Sequence, residues 1–231
     1  MSDTNFTTLT LSTSPLLIYL SSFISQDEAA RLLSLCEHSY ITSPLISTPS
    51  SDTPRPPEDY RTSASCTLPN DDPTILALTL RVYNFLQALN IEADGIEPFQ
   101  AVRYLPSQHY DLHYDWFETP VRNSDDREYN RLASFFLYLE ADCSSSGGTN
   151  FPRISVPGGV LDKEERGKGR YGRTEKGDGI VFRPIVGNGM FWVNLRADGK
   201  GDEKVLHAGL VVEEGSKTGL NIWMIKLKDV S

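Results

Sequence analysis

The first apolar stretch, residues 15–23 (PLLIYLSSF), is short and ends in serines, so it reads as an entry strand. Ser25-Gln26-Asp27-Glu28 follows with the pattern of a capping box: a serine at the N-cap and a glutamate three residues later. Ala29, Leu32, Leu33 and Cys36 then recur at helical spacing, which predicts a first helix. A second helix is predicted over residues 73–89 (PTILALTLRVYNFLQAL), opened by Asn70-Asp71-Asp72 and a proline in the first turn. From residues 100–104 onward the signal changes. Short runs rich in Val, Ile, Phe, Tyr and Trp, bounded by glycine, proline or polar turns, predict strands at 133–140, 179–183, 189–195, 206–213 and 217–227.

Polar segments separate these elements. Residues 42–60 are rich in Ser, Thr and Pro without periodicity, the mark of a mobile lid or a disordered loop. Residues 118–131 are polar and charged, and 157–178 mix glycines with both signs of charge, as a solvated loop or substrate-facing flap does. The stretch DGKGDEK (198–204) reads as a turn. With no internal repeat and no dividing linker, residues 1–231 are expected to form a single domain. Support elements would occupy about 15–95 and a strand-rich core about 96–228. Two helices followed by many short strands indicate an α+β fold with a β-sandwich or jelly-roll core.

Composition adds bounds. At 231 residues, 39% hydrophobic and 23% charged, the chain is an ordinary globular one. A formal net charge of -9 opposes nucleic acid as the main partner and gives no affinity for an anionic membrane. The three cysteines, Cys36, Cys66 and Cys143, are too few and too scattered for a disulfide framework, and are expected to be reduced. The N-terminus has neither a basic n-region nor a long apolar run, so the expected location is cytoplasmic.

The chemistry centres on His113-Tyr114-Asp115. Two ligands with one spacer point to the same side of an extended strand. His207, 94 residues later, completes a two-histidine, one-carboxylate set, which suits Fe(II) and leaves coordination positions open for O2 chemistry. Lys217, ten residues further on, is placed to anchor the far carboxylate of an organic co-substrate. If residues 214–216 form a hairpin turn, His207, Lys217, Asn221 and Trp223 share parity and line one face. A lone His-x-Asp occurs by chance, so its surroundings decide.

They carry a family pattern. Residues 104–117 (YLPSQHYDLHYDWF) match Y-x-x-G-Q-x-Y-x-x-H-x-D-x-F of the prolyl 4-hydroxylases, and 131–139 (RLASFFLYL) resemble their R-x-x-T-x-x-x-Y-L strand. Residues 147–152 (GGTNFP) resemble G-G-x-T-x-F-P. Residues 189–195, His207-Ala208-Gly209 and Gly215-Ser216-Lys217 resemble the final strands. Arg61-Thr62-Ser63 looks like the entry region. The resemblance spans about residues 15–228. It implies a double-stranded β-helix (jelly roll) flanked by N-terminal helices, with Fe(II) held by His113, Asp115 and His207. It also implies 2-oxoglutarate as co-substrate, bound by Lys217 with Tyr104 nearby, O2 as oxidant and ascorbate as reductant. Arg131, Glu97, Trp223 and Tyr110 fall at positions that contact substrate in the family.

Three departures stand out. Ser107 replaces the glycine before Gln108, the Gly-Gly turn is one residue short, and Ile225 sits where peptide-acting members often carry a basic or imidazole side chain. The expected activity is hydroxylation of an unactivated C–H bond, with peptidyl proline as the leading substrate. A free amino acid or natural-product scaffold is the alternative. A nucleic-acid demethylase shares the metal set but anchors its co-substrate with arginine. A zinc hydrolase lacks its H-E-x-x-H glutamate here. A non-catalytic jelly-roll binding protein would require the metal set to be idle.

Overall fold

Two antiparallel sheets pack face to face, and residue parity along each strand decides which side chains meet helices and which meet the site. The computed structural model describes residues 5–43, 60–143, 146–156, 169–174 and 179–228. In chain order the elements are β1 (Thr7–Thr13), β2 (Leu16–Ser21), α1 (Gln26–Cys36), β3 (Ile41–Thr42), β4 (Ala64–Thr67), α2 (Pro73–Ala88), β5 (Gly95–Ile96) and β6 (Gln100–Tyr104). They continue as β7 (Tyr110–His113), β8 (Val121–Arg122), β9 (Glu128–Asp142), β10 (Thr149–Phe151), β11 (Tyr171–Arg173), β12 (Ile180–Phe182), β13 (Gly189–Val193), β14 (His207–Gly209) and β15 (Ser216–Leu227).

The large sheet runs β1-β2-β13-β9-β15-β6-β4-β3, with β5 beside β15 and β8 beside β9; the small sheet runs β11-β12-β10-β14-β7. Ile18 and Leu20 of β2, Phe135 and Leu137 of β9, Phe191 of β13 and Leu220 and Ile222 of β15 face one way, into a core shared with α1 and α2. The alternating residues Leu17, Tyr19, Phe136, Tyr138 and Trp192 face the other way and pack against Phe151, Ile180 and Phe182 of the small sheet. Both faces of the large sheet are therefore covered, the arrangement of a jelly roll supported by helices.

Both helices begin as the sequence predicts. Ser25 accepts from the Glu28 amide while the Glu28 carboxylate accepts from the Ser25 amide. Asp72 caps α2 with Pro73 in its first turn. Arg81, which pairs with Glu28 at 2.8 Å, ties one helix to the other.

Several expectations need correction. Residues 7–13 form a strand, because β1 and β2 make a hairpin around Ser14-Pro15. The polar 118–131 segment is partly sheet: Val121 and Arg122 pair with the start of β9. Residues 210–213 leave the β14 strand. The 42–60 loop lies almost wholly outside the described residues, as does most of 157–178, which contributes β11. Cys36 and Cys66, expected to be reduced, form a disulfide that fastens the last turn of α1 to β4 (Cα–Cα 5.8 Å). Cys143 is free and buried. Among the described residues no helix is long and apolar enough to cross a membrane.

The residue count along β9 shapes the site. Against β15, Thr218 faces Glu140 and Gly219 faces Tyr138, so Leu139 is an extra residue; Met224 faces Ala133 and Ile225 faces Arg131, so Leu132 is another. Both bulges fall on β9 and leave β15 regular. The bulge at Leu132 reverses parity and brings Arg131 onto the same face as Ser134, re-aiming a side chain as bulges near sites do.

Candidate metal and co-substrate site

β7 ends at His113, and Asp115 lies two residues beyond it rather than within the strand. β14 pairs with β7 so that His207 faces His113. One donor atom from each of His113, Asp115 and His207 lies within 4.8 Å of the others. Asp115 Oδ1 is 4.0 Å from His113 Nε2 and 3.8 Å from His207 Nε2. Ligand atoms sharing an ion at bonds of about 2 Å lie within about 4 Å of one another, so the set closes with a movement of no more than about an ångström.

The tautomers fit as well. His113 Nδ1 lies 2.7 Å from the Asp111 carbonyl and His207 Nδ1 lies 2.9 Å from the Val205 carbonyl. A carbonyl only accepts, so both Nδ1 atoms carry the proton and both Nε2 lone pairs face the carboxylate. Burial, then the neighbouring His207, holds the His113 pKa well below the usual imidazole range, which keeps the ring in its ligating neutral form. Burial pushes the Asp115 carboxyl up, but His207, His113, Arg131 and the Ser134 hydroxyl together outweigh it and lower its pKa.

A second layer orients the ligands. Ser134 Oγ donates to Asp115 Oδ2 at 2.6 Å, and Asn194 Nδ2 donates to Ser134 Oγ at 2.8 Å. Tyr110 stacks on the His113 ring (centroids 3.5 Å apart) with Arg61 over its own ring at 4.6 Å. Phe151 and Trp192 flank His207 at 5.2 and 4.9 Å. Sequence reading missed Ser134 and Asn194. The one signal for Ser134 was its hydroxyl at the Thr position of R-x-x-T.

These groups open onto a cavity of about 150 Å³. Tyr104, Tyr110, Arg131, Asn221 and Trp223 line it along with the three ligands. Trp116 lines it too, and needs Gly201 in the 198–204 turn, where a Cβ would sit 2.1 Å from the indole. Phe136, also on the wall, similarly needs Gly219, where a Cβ would be 2.0 Å from its ring.

Lys217 does not line the cavity. It is fully buried, its Nζ donates to the Gly147 carbonyl, and its ammonium lies 4.4 Å from the Tyr104 ring centre. Among the described residues it has no ion pair. Burial, only partly offset by Cys143, lowers its pKa to about 8. A buried ammonium without a carboxylate is costly, and an incoming carboxylate beside Tyr104 would relieve that cost.

The remaining predicted residues are distributed unevenly. Arg131 and Glu97 form a bidentate pair, both contacts 2.7 Å, so Glu97 is engaged by Arg131 and is not on the cavity wall. Arg131 lies 3.7 Å over the Trp223 ring, and the Trp223 indole N–H is buried without a partner. Ile225 packs where a Cβ on Gly95 would be 3.2 Å away, outside the cavity lining. Ser107 takes a left-handed conformation (φ 67°), making with a serine the bend for which the family pattern has glycine.

A jelly roll carrying two histidines and a carboxylate on one face of an open metal position defines the class of non-haem iron oxygenases. The description "2OG-Fe(II) oxygenase superfamily" belongs to a family model that matches residues 99–225, more than half of the chain. The chain belongs to that superfamily and is a dioxygenase dependent on Fe(II), 2-oxoglutarate and O2.

Prolyl hydroxylases are among the proteins similar to it. Prolyl 4-hydroxylase 1 of Arabidopsis thaliana is 28% identical over 221 residues, covering 93% of this chain and 70% of the relative. Prolyl 4-hydroxylase subunit alpha-2 of Gallus gallus is 27% identical over 164 residues, covering 71% of this chain and only 26% of the relative. The crystal structure of the viral collagen prolyl hydroxylase of Paramecium Bursaria Chlorella virus-1, in its 2OG complex, superposes with a TM-score of 0.65 at 21% identity. It covers 90% of this chain and 95% of that one, a likeness of fold.

Proposed function

We propose that this enzyme hydroxylates proline residues within a peptide or protein. The observation that carries the reading is the size of the cavity. Its volume of about 150 Å³ is below the roughly 300–1,000 Å³ of ordinary small-ligand sites. A cavity of that size suits a small reacting group rather than a whole scaffold. The rest of the substrate lies outside, as it does for a residue presented from a longer chain. The prolyl 4-hydroxylases among its relatives point the same way.

In this reading His113, Asp115 and His207 hold Fe(II), and Lys217 with Tyr104 takes the far carboxylate of 2-oxoglutarate. Bound Fe(II) with its co-substrate supplies the oxidation: O2 is consumed, 2-oxoglutarate becomes succinate and CO2, and one oxygen atom ends as the substrate hydroxyl. Ascorbate serves as the external reductant. The protein's own part is binding, orientation and exclusion of water. Trp223 and Tyr110 form apolar walls for the reacting ring. Arg131, held by Glu97, keeps Trp223 in place. The free Trp223 indole N–H donates to a carbonyl of the substrate backbone.

Succinate formation in the presence of Fe(II) and ascorbate tests this, with Asp115→Ala as control. The expected result is stimulation by proline-containing peptides that the variant abolishes. Stimulation by free proline or another free amino acid, and by no peptide, would overturn the peptide reading while leaving the dioxygenase intact.

A further inference from the structure

Beside the metal cavity lies a larger cleft of about 710 Å³. An aromatic pair joins the wall of one to the wall of the other. Phe117 lines the cavity, Tyr129 lines the cleft, and their rings meet edge to face at 6.2 Å. Asn130, also on the cleft wall, clamps this pair: its side chain accepts from the Phe117 amide and donates to the Phe117 carbonyl, each at 2.8 Å.

Ile91, Pro120, Tyr129, Leu132, Leu195 and Leu227 supply an apolar part of the cleft wall, and Glu92, Arg196, Asp198, Lys226 and Lys228 supply its charged part. Much of its rim charge is already neutralised within the chain. Lys226 pairs with Asp94 at 3.3 Å, Lys228 with Glu128 at 2.9 Å and Arg196 with Asp198 at 3.0 Å. With both lysines and the arginine paired, Glu92 is the lining charge outside these pairs, so the apolar side chains favour an uncharged, apolar occupant and the cleft offers little to an acidic one. Its position selects further, because the Phe117–Tyr129 pair makes its wall continuous with that of the metal cavity.

We infer that this cleft is an extended subsite for the substrate polypeptide. It holds an uncharged, apolar stretch on one side of the residue hydroxylated in the metal cavity. The inference rests on the reading of the cavity as a site for a peptide residue. The two volumes divide the work: the small cavity accommodates the reacting ring, and the neighbouring cleft takes the flank that a ring-sized cavity cannot hold.

The test is a peptide series with one reactive proline and flanks lengthened separately on its N- and C-terminal sides, with alanine-leucine or with glutamate extensions. Burial of one aliphatic side chain is enough to lower KM about tenfold. That drop is expected for the apolar extension on one side only. Leu227→Glu and, separately, Ile91→Lys should remove it. Neither should change turnover of the shortest peptide, 2-oxoglutarate KM or Fe(II) binding, readouts that also establish that each variant is folded. Peptide turnover with KM independent of flank, or a flank effect that survives both substitutions, overturns the subsite and leaves the proposed function standing. Fe(II) and 2-oxoglutarate binding without turnover of any peptide overturns both.

Discussion

Ser134 holds Asp115 from behind: its hydroxyl donates to Oδ2 at 2.6 Å, which leaves Oδ1 turned toward both histidines. The carboxylate is thereby restricted to one oxygen for the metal. Asn194 in turn fixes the Ser134 hydroxyl from its far side. Ser134→Ala should weaken Fe(II) binding by about 10–100-fold, the usual effect of losing such a partner, and Ser134→Thr should restore it. Anaerobic metal titration checks both. An unchanged affinity in the alanine variant would remove Ser134 from the site.

Lys217 carries a pH signature. Its folded-state pKa of about 8 lies below the ordinary lysine value of 10.5. Between those values the unfolded chain binds more protons, so apo-enzyme stability rises with pH across that window and is flat below it. If Lys217 binds the 2-oxoglutarate carboxylate as proposed, the ammonium must be protonated, and affinity is expected to fall as pH passes about 8. Lys217→Met should raise the apo melting temperature and flatten its pH slope. It should also raise 2-oxoglutarate KM about tenfold or more, the worth of a charged hydrogen bond, with metal affinity unchanged. Melting curves at pH 7 to 10 and anaerobic calorimetry read these effects.

Arg131 is buried and its partner Glu97 is part-buried, so removing Glu97 strands a buried guanidinium. Glu97→Ala should cost about 3–5 kcal/mol of stability and lower turnover with peptide through loss of Trp223 positioning. Arg131→Met with Glu97→Gln should recover much of the stability in urea unfolding without recovering activity. Full recovery of both would show that Arg131 has no part in the reaction.

The Cys36–Cys66 bridge closes a loop with a sequence separation of 30 residues. Cross-links of this span contribute roughly 3–4 kcal/mol. Cys36→Ser with Cys66→Ser should lower stability by that order, whereas Cys143→Ser should not remove a cross-link. Denaturant titration with and without reductant distinguishes the two.

At Ser107 the family pattern suggests its own remedy. The residue holds φ 67°, a conformation that costs an L-residue about 1–2 kcal/mol. Ser107→Gly should stabilise the protein by about 1 kcal/mol, less the greater entropy of glycine in the unfolded chain. A lower melting temperature for the glycine variant would show that the Ser107 hydroxyl, which donates to the Pro106 carbonyl, matters more than the backbone.

The metal ligands were legible because their chemistry resides in residue types at short spacing and in one late histidine. So were both helices, whose caps are local. What stayed hidden depended on pairing. Ser134 and Arg131 share a face only because Leu132 bulges, and nothing in RLAS announces a bulge. β3, β5 and β8 are two residues long, too short for any period to show. The strand at Thr7–Thr13 alternates threonine with leucine, yet it reads as polar because only Leu11 on it is buried. The disulfide joins a helix to a strand across the fold, a proximity that cysteine spacing does not encode.

The regularity of β15 has a consequence for how such an enzyme changes. Lys217 and Trp223 lie on that one strand, six steps of about 3.3 Å apart, or about 20 Å. In the proposed function it works as a ruler between the co-substrate end at Lys217 and the substrate end at Trp223. An insertion of one residue between them would turn one of the two side chains to the helix side. Descendants of this chain are therefore free to acquire new substrates by altering β8, the 118–131 segment or the turn at 198–204, but not by lengthening the strand that measures the site.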